Sequence, residues 1–268
     1  MKKLQIQTAL LLAGMLGTCS IPLKAANADP NSNQTEMETP CPWSFDIVPY
    51  LWLATYNGSF DLPGSRAGFG PTRTSSGDAY SSRISGAAML LGQVRYREFG
   101  LYLDGAWVQL RTGGDNSSAL YSATEIKTDI AYGTAAASYR LPLLVRDLDI
   151  DLLAGARVWH VGNTIERTSG ILPGYSTDGS HTWCDPIVGA KLRYDFGKHW
   201  FAVALGDAGG FGAGSDLSWN VFGGIGYQFT SCVSATLGYR YMHLDYEKNS
   251  FVVDANIQGA LLGVGFHF

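Results

Sequence analysis

Residues 259–268 read GALLGVGFHF, and the alternation within this stretch decides the fold class of the chain. Successive side chains of a β-strand point to opposite sides, so a strand here would separate two sets of residues. One face carries only apolar side chains, namely Ala260, Leu262, Val264, Phe266 and Phe268. The other carries mainly glycines, with one leucine and a histidine, namely Gly259, Leu261, Gly263, Gly265 and His267. The stretch therefore predicts a strand with one apolar face.

The same alternation recurs along the chain, for example over 43–53 and 217–229. A soluble sandwich would hide such faces between two sheets. Here Trp, Tyr and Phe concentrate near the ends of the apolar faces, as the interfacial girdles of a membrane barrel require. The pattern predicts an all-β protein, a transmembrane antiparallel up-and-down β-barrel.

The composition agrees with lipid-facing strands. Charged residues make up 16% and aromatic residues 12% of the 268 residues, with 33 glycines, whereas a soluble domain averages about 25% charged residues. The net charge of −4 argues against nucleic acid as a partner. No segment after residue 28 has the roughly 18 consecutive apolar residues of a membrane helix, so membrane insertion would require a closed barrel.

Alternating segments and their connections predict about ten strands, although eight or twelve stay open if 81–97 and 122–140 divide differently. Short connections should lie in the periplasm, with the longer Gly-, Ser- and Asn-rich ones outside the cell. The predicted strands are 43–56, 81–97, 99–112, 122–140, 148–165, 181–196, 199–208, 216–230, 233–247 and 251–268. The predicted outer loops are 57–80, 113–121, 166–180, 209–215 and 248–250.

Residues 1–28 have the layout of a secretory signal peptide: two lysines, an apolar stretch, and a small-residue tripeptide ending at Ala28. We expect cleavage there, with lipoprotein processing at Cys19 as the poorer alternative. Residues 29–42 are polar and predict a disordered periplasmic lead-in, which leaves 43–268 for the barrel.

Three cysteines remain after the leader. An exported protein meets an oxidising compartment, so one disulfide is expected. The predicted topology puts Cys41 and Cys232 on one rim and Cys184 on the other, and so predicts a Cys41–Cys232 bridge. Three independent thiols remain the alternative.

Several segments resemble a widespread group of uncharacterised, small outer-membrane β-barrel proteins of Gram-negative bacteria. They are residues 46–52 (DIVPYLW), 206–219, 238–241 (GYRY), Asp245-Tyr246 and 259–268. The resemblance implies a fold and an outer-membrane location, but no catalytic residues. It also implies that the C-terminal signal Val264, Phe266 and Phe268 is read by the barrel-assembly machinery.

If the apolar faces touch outer-membrane lipid, the opposite faces point into the lumen. Both signs of charge occur there, and buried charges at short range should pair. We therefore expect a plugged, salt-bridged interior with a structural role; a narrow porin-like path for a small solute or ion is the alternative. The expected network comprises Asp46, Arg95, Glu125, Lys127, Asp129, Asp149, Asp151, Arg157, Lys191, Arg193, Asp195 and Arg240, with Gln93 beside them.

Two further functions stay open. A surface adhesin or ligand-binding barrel would use the long loop 57–80. A rim hydrolase resembling the omptin proteases would use acids and a histidine at the outer strand ends, namely Asp207, Asp216, His243 and Asp245. No family motif supports the second, so we expect no enzyme.

No cofactor or metal is expected. The segment 181–184 (HTWC) lacks a second ligand pair at zinc spacing. The Gly-rich segment 209–214 departs from the dinucleotide spacing and precedes a strand, so it predicts a loop with unusual backbone dihedrals.

Overall fold

A computed structural model describes residues 42–61, 72–74, 82–115, 121–145, 147–248 and 251–268. The predicted leader, the lead-in up to Cys41 and most of the loop 57–80 lie outside these residues. No helix in the described part of the chain is long and apolar enough to cross a membrane.

Within the described residues, ten antiparallel strands form a sheet that closes on itself, because the last strand pairs with the first. A further three-residue strand pairs only with the outer part of the first. This confirms the predicted barrel and its strand number. The strands are β1 Trp43–Asp61, β2 Thr72–Thr74, β3 Ser82–Tyr96, β4 Phe99–Asp115, β5 Tyr121–Arg140, β6 Leu148–Ser169, β7 Tyr175–Phe196, β8 Trp200–Gly209, β9 Leu217–Gln228, β10 Val233–Lys248 and β11 Phe251–His267.

The closing seam uses the stretch that decided the fold class. Ile47 lies opposite Phe266, and Leu51 lies opposite Leu262, so apolar side chains of β1 and β11 share the outer face. Pairing this seam removes the two free edges that an open sheet would expose to lipid.

The outer face is apolar where the barrel would meet lipid. Leu53 is 64% exposed, Leu237 63% and Ile225 54%. So many exposed, large apolar side chains indicate a surface that contacts lipid or another protein instead of water. Aromatic residues ring the ends with the short turns, where Trp43 packs on Tyr96 at 4.8 Å between ring centroids. The prediction that the apolar strand faces form the outer surface is confirmed, and the architecture is that of an outer-membrane β-barrel.

The walls differ in height. A strand needs about 9–11 residues to cross a bilayer; β8 and β9 have 10 and 12 residues. By contrast, β5, β6 and β7 have 20, 22 and 22 residues and continue well past the apolar zone on the side of the longer loops. The predicted loop 166–180 was therefore too long: β6 and β7 form a hairpin with only 170–174 between them.

The cysteines are distributed as follows. Cys184 is a free, exposed thiol, and Cys232 is disulfide-bonded. Cys41 lies outside the described residues, so its pairing with Cys232 stays a prediction.

Candidate functional site: the barrel interior

Arg240 stands at the centre of the interior and is 4% exposed. Its guanidinium donates to Asp104 at 2.7 Å, to the Tyr132 hydroxyl at 2.7 Å and to Asn220 at 2.8 Å. The Tyr50 hydroxyl also donates to Asp104, at 2.7 Å. These side chains come from β10, β4, β5, β9 and β1, so one hydrogen-bonded cluster joins opposite walls.

A second ion pair extends this cluster toward β6 and β8. Arg157 contacts Asp207 through two nitrogens, at 2.8 and 2.9 Å, and donates to Thr134 at 2.9 Å. Asn220 also donates to Asp207, at 2.8 Å, and thereby links the two arginine clusters. Buried ions need such partners, because an unpaired charge in the interior is very costly.

A third group lies nearer the short-turn end. Asp151 accepts from Arg95 at 2.6 Å and from Arg140 at 3.2 Å. Arg140 also pairs with Asp149 at 2.9 Å. At the rim, His267 donates to Asp46 at 2.6 Å.

Inside the lumen, an aromatic layer covers the ionic clusters on the side of the longer loops. Trp159 is fully buried, and its ring centroid lies 5.4 Å from Tyr132 and 6.3 Å from Trp183. Trp183 packs in turn on Tyr246, at 4.2 Å. The layer joins β5, β6, β7 and β10 across the lumen.

Asp185 anchors the loop 210–216 beside this layer. Its carboxylate, which is fully buried, accepts from the Ser215 amide at 2.6 Å, the Ser215 hydroxyl at 2.7 Å and the Trp159 indole at 3.0 Å. The loop turns through Gly210 at φ 88° and Gly212 at φ 78°, so the predicted unusual dihedrals are confirmed.

We expect Asp185→Ala to release the loop 210–216, because the donors that it satisfies would be buried without a partner. Limited chymotrypsin digestion should then cut after Phe211, which is 59% exposed, at least tenfold faster than in the unchanged protein. Asp178→Ala, on the outer surface of the same strand, is the matched control. Equal cleavage rates for all three proteins would show that Asp185 does not hold the loop.

Below the Arg240 cluster lies a cavity of about 140 Å³. Its walls are mainly apolar, and Tyr102, Lys191, Arg193 and Arg240 also line it. The long strands β5, β6 and β7, together with β4 beside them, form the tall wall of the barrel. A second, open groove of about 350 Å³ lies on the outer surface of this tall wall, between Trp107, His160 and Asp178.

Most of the expected lumen charges do face inward. Arg95, Asp151, Arg157, Lys191 and Arg240 lie on the inner faces of β3, β6, β7 and β10, and Asp46, Asp149, Arg193 and Asp195 lie inward nearer the short-turn rim. Lys191 donates to Gln93, and Arg193 pairs with Asp195 at 2.8 Å.

For three of the expected lumen residues the prediction was wrong, because their side chains lie on the outer face of the barrel. Glu125, Lys127 and Asp129 alternate with the buried Tyr132 and Thr134, so they share the outer face of β5. Lys127 pairs there with Glu166, at 2.7 Å. The error arose because β5 continues beyond the bilayer, where its outer face is free to be polar.

The four rim-hydrolase candidates do not converge. Asp207 points inward to Arg157, whereas His243 and Asp245 lie on the outer face of β10, where His243 contacts Asn256 at 3.0 Å. Asp216 lies in the exposed loop before β9.

The network predicted from the sequence omitted Asp104, Asp185 and the interior role of Asp207. Each alternates with apolar or small outward residues on its strand, so side-chain parity could have identified them. Among the described residues, no group of three or more His, Cys, Asp or Glu side chains could hold a metal ion.

No protein-family model and no curated protein matches the chain. Among solved structures, it is similar to the outer-membrane protease OmpT of Escherichia coli (12% identity, TM-score 0.49, covering 86% of this chain and 98% of that one). It is also similar to the translocator domain of the autotransporter NalP of Neisseria meningitidis (11%, 0.42, 84% and 88%). A third is Ail, the attachment invasion locus protein of Yersinia pestis (15%, 0.31, 85% and 99%). Likeness at this level says nothing about activity.

Proposed function

We propose that this outer-membrane barrel has a structural role and that its interior is closed to solutes. The observation that carries the proposal is the Arg240 cluster, which ties β1, β4, β5, β9 and β10 together across the lumen. A solute would have to break several buried, charge-assisted hydrogen bonds to pass.

The charges support a plug more than an ion path. An ion-selective pore is lined by rings of one sign or by ordered carbonyl groups. Here Arg240 faces Asp104, and Arg157 faces Asp207, so acids and bases neutralise each other. The aromatic layer of Trp159, Trp183 and Tyr246 adds a second barrier on the outer side.

Planar-bilayer recordings on the refolded protein test the proposal. We expect no single-channel steps from the unchanged chain. The double variant Trp159→Ala/Arg240→Ala, which removes bulk from both barriers, should give measurable steps if it still folds to a heat-modifiable barrel. Reproducible steps from the unchanged protein would contradict the proposal and favour the narrow channel.

Assembly would follow from the C-terminal strand. Phe268 is 64% exposed at the end of the outer apolar face, which Val264 and Phe266 share by alternation. We propose that the barrel-assembly machinery reads this face before it meets lipid.

Surface recognition is the second candidate, and the tall wall favours it. The groove between Trp107, His160 and Asp178 offers an aromatic platform and polar groups above the apolar zone. Cells that carry the Trp107→Ala/His160→Ala variant should bind a surface ligand less than cells that carry the unchanged protein, and cells that carry Ser176→Ala, on the same wall, should bind as before. Unchanged binding by both variants would rule out surface recognition through this groove.

A further inference from the structure

The cavity beneath the Arg240 cluster has two features that a mere packing defect would lack: a size suited to a small molecule, and two lining polar side chains, Lys191 and Tyr102, that contact no carboxylate of the described residues. Its volume is about 140 Å³, close to that of the engineered cavity of about 150 Å³ that binds benzene in another protein. Leu91, Leu205, Phe222 and Leu261 supply apolar walls. A benzene-sized ring or a short alkyl chain would fit there.

Lys191 forms no ion pair with a carboxylate among the described residues. Among the described residues, no carboxylate oxygen lies within 4 Å of its ammonium group, and its hydrogen bond goes to the neutral amide oxygen of Gln93. Asp151 is held by Arg95 and Arg140, and Asp46 is held by His267. Asp151 and Asp46 both act on Lys191 electrostatically, but neither forms an ion pair with it, so an anion in the cavity would be its first direct anionic partner.

Tyr102 points to the same conclusion. It is 4% exposed and lines the cavity, yet its hydroxyl makes no hydrogen bond to any residue that the structure describes. The hydroxyl oxygen is not one of the fully buried atoms without a partner, so it stays accessible from the cavity, where an anion could accept its hydrogen bond. By contrast, Arg193 and Arg240, which also line the cavity, are already bound to Asp195 and Asp104.

We propose that this cavity binds a small organic anion, an apolar ring or short chain carrying one carboxylate. The carboxylate accepts from Lys191 and Tyr102, and the apolar part packs against the leucines and Phe222. The lining residues come from the halves of the strands next to the short turns, and the Arg240 cluster closes the far side. The ligand therefore enters and leaves from the periplasm, and binding does not require passage through the barrel.

The test uses 4-fluorobenzoate as the probe and measures its dissociation constant by fluorine NMR with the refolded protein in detergent micelles. We expect saturable binding to the unchanged chain. Lys191→Met should weaken binding by about tenfold or more, as loss of a charge-assisted hydrogen bond implies, and Tyr102→Phe by a smaller factor. Leu205→Trp, which fills the cavity, should abolish binding, whereas Lys127→Met on the outer face should leave it unchanged.

A comparison that needs no variant guards against misfolding. On the unchanged protein, neutral 4-fluorobenzyl alcohol should bind at least about tenfold more weakly than the anion. Equal affinities for the two probes, or equal affinities of the unchanged chain and a folded Leu205→Trp, would overturn the inference. The bilayer recordings are independent, so a closed barrel that fails to bind the probe would refute only this inference.

Discussion

Replacing Arg240 with methionine is expected to lower the free energy of unfolding by about 3–5 kcal/mol, the range for removing one partner of a buried ion pair. The Asp104 side chain, which is only 2% exposed, would lose its guanidinium partner and, among the described residues, would retain the two tyrosine hydroxyls as donors. Urea unfolding in lipid vesicles, followed by tryptophan fluorescence, measures the change.

Two variants separate this effect from a general loss of packing. Arg240→Met/Asp104→Leu removes both charges, and we expect it to recover most of the lost stability, because apolar replacement of a whole buried pair is often neutral. Lys127→Met breaks a pair whose members are 26% and 44% exposed, and such pairs contribute about 0–1 kcal/mol. A double variant as unstable as Arg240→Met would contradict the assigned role of the ion pair.

Replacing Leu237 with arginine is expected to lower the free energy of unfolding by about 2–4 kcal/mol, the cost of an arginine at the centre of a bilayer. Leu237 is 63% exposed, and its neighbours across the strands are Ile225 and Leu262, which are also exposed. On a water-exposed surface the same change would fall within about 0.5 kcal/mol. The size of the effect therefore reports which solvent the outer face meets.

The matched control is Ser180→Arg, on the outer face of β7 in the part that rises above the apolar zone. There an arginine faces water, so we expect no measurable change. Vesicle unfolding curves for the two variants provide the comparison, and equal small effects at residues 180 and 237 would mean that Leu237 does not face hydrocarbon.

The fold was predictable because lipid imposes a period of two on every strand. Residues such as Leu51, Ile225 and Leu262 must be apolar whatever their neighbours are, and the short turns mark the reversals. Strand ends above the bilayer were not predictable in the same way, because there water faces the outer surface. That is why Glu125, Lys127 and Asp129 were assigned to the wrong side.

The interior was predictable only in part. Alternation identified Arg240, Arg157 and Arg95 as inward, but the partner of each arginine depends on the stagger of strands far apart in sequence. Arg240 and Asp104 are 136 residues apart. The cavity depends on the same stagger, so no local pattern could reveal that Lys191 and Tyr102 share it.

Nitroxide labels along β10 in lipid vesicles test whether the apolar face of the strand contacts hydrocarbon. Labels at 235, 237 and 239 should be accessible to oxygen and shielded from a water-soluble nickel complex, whereas labels at 236 and 238 should be shielded from oxygen. High accessibility to the nickel complex at 235, 237 and 239, with no alternation in accessibility to oxygen, would show that this face meets water and not lipid.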